Sequence, residues 1–137
     1  MDVQLSPHFW LSEFESRDGA PTPGGVLSNL RRLAPTLEVV RLESGGPLRV
    51  GSGYRSPAHN AAAGGAPRSL HLRGLAVDLR SDVLGAVDLH KLFRRLIARG
   101  AIPDGGLGLY MRPRRADGRE RSWAHYDLGR AGRRWRG

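Results

Sequence analysis

Two stretches of this sequence repeat their apolar residues at helical spacing, while every other apolar run is only a few residues long. That contrast limits the possible folds more than any other feature. Over residues 25–43, Val26, Leu30, Leu33, Leu37 and Val40 recur every three or four positions and line one helical face. Pro35 falls inside this pattern without the amide proton a helix interior needs, so a kink or a break is expected there. Over residues 88–99, Leu89, Leu92, Phe93, Leu96 and Ile97 form a second face, stopped by Gly100. The short runs at 48–52, 75–79, 106–110 and 123–128 read as strands. The order is helix, strand, short helix, strand, helix, strand, strand. It predicts an α+β fold, with helices packed on a small, largely antiparallel sheet.

A chain of 137 residues has room for one core, so residues 1–137 are expected to form a single domain. Residues 111–121 (MRPRRADGRER) are polar and turn-rich and are expected to form an exposed loop. The tail, residues 129–137, is rich in Arg and Gly with one Trp and is expected to be flexible. With 39% apolar residues, the chain can build a core and is too apolar for wholesale disorder. No run approaches the roughly 18 to 20 apolar residues of a membrane-spanning helix, and no secretory signal is visible, so membrane insertion is not expected.

The absence of cysteine removes disulfides, thiolate metal sites and thiol nucleophiles, so any metal must rest on His, Asp or Glu. Twenty-two basic residues against 13 acidic ones give a formal charge of +9, which favours a polyanionic partner. Nucleic acid and the carboxylate- and phosphate-bearing polymers of cell walls both answer to that charge. No nucleic-acid recognition motif is present, and the aromatic residues do not form a stacking platform, so nucleic acid is not expected as a partner.

Three places hold residue types that packing alone does not require. In SLHLRGLAVD, His71 stands in a Gly-flanked loop and Asp78 follows within an apolar strand, where a carboxylate is costly unless paired or metal-bound. In WAHYD, His125 and Asp127 point to one side of a strand. If the two strands pair, His71, Asp78 and His125 can converge, and two imidazoles with one carboxylate leave a fourth tetrahedral position for water. The alternative is that both histidines are ordinary hydrogen-bonded residues and Asp78 pairs with an arginine. In VGSGYRSP, a strand runs into a turn ending at Arg55, whose fork can meet a carboxylate or an oxyanion, or simply lie solvated at the surface.

The runs SGYRSPAHN, GGAPRSLHLRGLAVDL, GGLGLY and AHYDLG together resemble the zinc D-Ala-D-Ala carboxypeptidase and murein endopeptidase family, which shares its zinc-site fold with the hedgehog signalling domain. The opening LSPHFWLSEFESRDG is similar to the start of a small, phage-endolysin-like subgroup. The resemblance implies that His71, Asp78 and His125 bind Zn2+, that Ser69 helps hold substrate, that Tyr54 lines the cleft, and that Arg55 neutralises the substrate's carbonyl oxygen in the tetrahedral state. It further implies a metallopeptidase that cuts stem peptides or cross-links of peptidoglycan, as a carboxypeptidase or an endopeptidase.

One position departs from that pattern. Many relatives carry Glu or Asp three residues before the last zinc histidine as general base, and Ser122 stands there. Asp127 is the expected substitute, with Glu120 second. Should no carboxylate serve, the alternative is a weakly active or inactive zinc-containing module that binds the cell wall. A monomer acting on peptidoglycan is expected, made in the cytoplasm without a signal peptide and acting at the wall, as a phage or prophage lysis enzyme or a secreted cargo would.

Overall fold

The apolar faces read from the sequence meet in one core between the two long helices and one side of a sheet. The computed structural model describes residues 1–137. In chain order it holds β1 (Gln4–Ser6), β2 (Phe9–Trp10), α1 (Gly24–Ser44), β3 (Leu48–Ser52), α2 (Pro57–Ala62), β4 (Ala76–Ser81), α3 (Ala86–Ala98), β5 (Gly106–Tyr110), β6 (Trp123–Asp127) and β7 (Arg134–Arg136). Short 3-10 turns cover Leu11–Glu13 and Leu70–Arg73. The main sheet runs β3-β4-β6-β5-β7. Every pairing is antiparallel except that of β7 with β5. The α+β expectation therefore holds.

Alternation along the strands separates two faces. Val77 and Leu79 of β4, Leu107 of β5, and Ala124 and Tyr126 of β6 join the core with Leu30, Leu33 and Leu37 of α1 and Leu89, Phe93 and Leu96 of α3. The Tyr126 ring stacks on Phe93 at 5.0 Å between centroids. Burying each such side chain is worth about 1.5–3 kcal/mol. The intervening residues, Asp78 on β4, Gly106 and Gly108 on β5 and His125 and Asp127 on β6, share the opposite face.

Of the kink or break expected at Pro35, the break is absent: α1 runs through that position as one helix. Pro35 and Arg31 are both exposed, so the helix bond that Pro35 cannot make is lost on the outer side of α1 and not against the core. The basic tail, expected to be flexible, forms β7 along the outer edge of β5. Leu107 donates to the Arg133 carbonyl at 2.9 Å, and Gly137 donates to the Leu109 carbonyl at 2.9 Å. An unpaired strand edge is a template for such pairing, and Trp135 gives this otherwise polar segment a side chain to anchor it.

The N-terminal hairpin β1–β2 is an addition that the sequence pattern did not reveal. It rests on α1 through Glu38, which accepts from the Ser6 hydroxyl at 2.5 Å and from the His8 amide at 2.7 Å. No helix is long and apolar enough to cross a membrane.

Candidate metal centre

The open face of the sheet forms the floor of a cleft of about 690 Å³. Asp78 of β4 and His125 of β6 stand directly opposite each other in the antiparallel pairing. His71 arrives from the 3-10 turn in front of β4. Ser69 begins that turn by accepting from the His71 amide at 3.3 Å. Gly74 ends it in the left-handed region (φ 70), tight against Val26 of α1, where any side chain would collide. All three residues are buried.

Hydrogen bonds behind the two rings set where their lone pairs point. His71 Nδ1 donates to the Gly53 carbonyl at 2.7 Å, which leaves Nε2 as the acceptor nitrogen. That atom lies 3.4 Å from Asp78 Oδ1. His125 Nε2 donates to Asp127 Oδ2 at 2.8 Å, and its Nδ1 faces the same Asp78 oxygen at 2.9 Å. Two imidazole nitrogens and a carboxylate oxygen therefore converge with no donor hydrogen among them unless the rings are protonated. The three ligand atoms lie within 4.8 Å of one another. This donor set is the nitrogen and oxygen chemistry that a divalent cation takes, so the residues fit a metal.

The electrostatics point the same way. Burial disfavours charge on His125, but its hydrogen bonds to the Asp127 and then the Asp78 carboxylate outweigh it and raise its pKa above the ordinary imidazole value. Burial likewise opposes ionisation of Asp78, yet the contacts with His125 and His71 hold its carboxyl well below the usual carboxylate range. The centre is built to hold an anionic carboxylate next to positive charge.

Asp127 is brought to the site but sits behind His125. Its Oδ1 accepts from the Gly106 and Gly129 amides, each at 2.9 Å, and its Oδ2 accepts from His125 and from Arg133 at 2.9 Å. Burial works against its charge, but the His125 and Gly129 hydrogen bonds lower its pKa to about 2. A side chain at Gly106 would strike the Asp127 carboxylate, which explains the glycine there. Arg55 lines the cleft with Nη2 at 3.4 Å from Asp78 Oδ2, steadied by Ser52 at 3.0 Å and Asn60 at 3.4 Å. Ser69 also lines the cleft.

Other expected residues are elsewhere. Tyr54 is buried in the hydrophobic core and is not among the cleft-lining side chains. Glu120 accepts from the Ala86 amide at 3.0 Å, capping the N-terminus of α3. Ser122 is buried and bonded to both the amide and the carbonyl of Arg112, closing the base of the 111–121 loop. Reading the sequence alone missed Asn60, Arg133 and Trp135. Trp135 tilts over the His125 ring at 4.9 Å between centroids. The only available signal was the glycine at 108, whose open position admits the indole.

Fold and site together define a small α+β protein with a candidate divalent-metal centre on the open face of its sheet. A family model for Peptidase M15 matches residues 7–114, well over half of the chain, and the chain belongs to that family. The match includes His71 and Asp78, while His125 lies beyond it and is joined to them by the strand pairing. Comparison with curated proteins gives no match.

Proposed function

We propose that this protein is a zinc peptidase that hydrolyses peptide bonds in the stem peptides or cross-links of bacterial peptidoglycan. The observation that carries the reading is the convergence of His71 Nε2, Asp78 Oδ1 and His125 Nδ1 on one point at the floor of a cleft, in a chain of the Peptidase M15 family. His71, Asp78 and His125 would hold the ion. When bound, zinc supplies Lewis-acid polarisation of the scissile carbonyl and a water of lowered pKa. Arg55 is placed to bind the carbonyl oxygen as it gains charge, and its position between Ser52, Asn60 and Asp78 fixes the fork in advance. Ser69 keeps a substrate-holding role at the cleft wall. Tyr54 supports the adjacent Arg55 from within the core. Asp127 orients His125 and fixes its tautomer; with both oxygens already engaged, it is poorly placed to take a proton.

The net charge of +9 favours adsorption to an anionic wall, which is where the protein would act. The test is digestion of purified peptidoglycan with and without a chelator, read by the masses of the soluble fragments. Chelator-sensitive release of peptides supports the assignment and identifies the bond, and equal release in both samples refutes the metal mechanism.

A second reading is a zinc-holding wall-binding module with little turnover. It is favoured by one observation: Asp78 and Asp127 are the only acidic residues lining the cleft, and both are engaged. Metal binding and wall adsorption without any released fragment would select it.

A further inference from the structure

The residues that hold His125 from behind belong to the end of the chain. Asp127 accepts the hydrogen bond from His125 Nε2, and Arg133 binds the same Asp127 oxygen at 2.9 Å while its guanidinium lies 5.0 Å from the Trp135 ring. The indole N–H of Trp135 donates to the Tyr110 hydroxyl at 2.6 Å, and Tyr110 stacks on Trp123 at 4.9 Å. Gly108 is opposite His125 on one side and opposite Trp135 on the other. Its missing side chain lets indole and imidazole meet across the strand, because a Cβ there would come within 2.5 Å of the indole.

We propose that β7 is a working part of the metal centre: Arg133 and Trp135 are positioning residues that hold His125, directly and through Asp127, with Nδ1 turned toward Asp78 and His71. The inference rests on the reading of His71, Asp78 and His125 as metal ligands. An imidazole on a strand turns about two side-chain torsions, and each alternative rotamer takes Nδ1 away from the other two ligand atoms. The Asp127 hydrogen bond limits one torsion and the indole face limits the other. The ligand geometry is then ready before an ion arrives, and partners of this outer kind change metal affinity by about 10–100-fold.

The test uses the full chain and Co2+ alone as the probe, measuring affinity by competition with a chromogenic chelator and coordination by the visible d–d spectrum. Arg133 is half-exposed, so Arg133→Gln leaves the core intact, and circular dichroism with thermal melting of the metal-free protein checks that Trp135→Ala folds. Both variants are expected to bind Co2+ about 10–100-fold more weakly, with an altered spectrum, and Trp135→Phe is expected to recover most of the affinity. Gly108→Ala, which displaces the indole while leaving the sequence of β7 unchanged, is expected to behave like Trp135→Ala. Folded variants with wild-type affinity and spectrum would overturn the inference and leave the metal site standing. Failure of the wild-type protein itself to bind Co2+ would instead remove the ligand assignment on which the inference depends.

Discussion

Asp78 and Asp127 flank the same imidazole, yet their surroundings are opposite. Asp127 is saturated with donors: two backbone amides, a guanidinium and the His125 N–H. Asp78 faces the lone-pair side of two histidines, with Arg55 at 3.4 Å as its nearest fixed cation. A carboxylate with all its hydrogen bonds made is a structural knot. One that faces the lone pairs of two imidazoles favours a positive charge beside it, and the two differ although both are buried.

The largest effect is expected on the Asp78 side. Asp78→Asn removes the central ligand of the proposed metal site and should lower divalent-metal affinity by more than about 100-fold, beyond what loss of an outer partner costs. Isothermal titration with Zn2+ checks it, and retained affinity would erase the distinction. Asp127→Asn should weaken metal binding by about 10–100-fold, as loss of an outer partner does, and should also act on the fold. It strips charge-assisted bonds from a buried cluster, so the metal-free protein is expected to lose about 1–3 kcal/mol in urea unfolding. A variant as stable as the wild type would mean the knot holds nothing.

The third test moves to a donor-saturated carboxylate outside the cleft. Asp18 accepts from Ser56 at 2.6 Å and from Ser16 at 2.7 Å, and these hydroxyls lower its pKa to about 2. A depressed carboxylate pKa stabilises the fold above its unfolded value near about 3.9 and loses that contribution as pH falls through the folded value. The melting-temperature gap between wild type and Asp18→Asn should therefore be full at pH 5 and shrink between about pH 4 and 2. A gap independent of pH would show that Asp18 acts through shape and not through charge.

Much of this was readable beforehand, and for a physical reason. Helix and strand faces repeat with fixed periods, so Leu30, Leu37, Leu89 and Phe93 announced their burial, and an aspartate amid Leu75–Leu79 announced a need for charge. Side chains whose role depends on another segment's path gave no such sign. Nothing local marks Trp135 as the neighbour of His125, because the two meet only when β7 pairs with β5. Glu120 was a plausible base by proximity in sequence, but the loop carries it to the start of α3. Pro35 left a kink and a break both open, and the continuous helix removes only the break.

The cross-strand pairing of Asp78 with His125 carries one more implication. Side chains on a strand alternate between its faces, so sliding β6 by a single residue would turn His125 into the core and offer Ala124 or Tyr126 in its place. A chain zipped one notch out of step therefore has no grip on an ion. On the proposed ligand set, metal uptake would inspect the sheet, rewarding the one alignment that folding must reach.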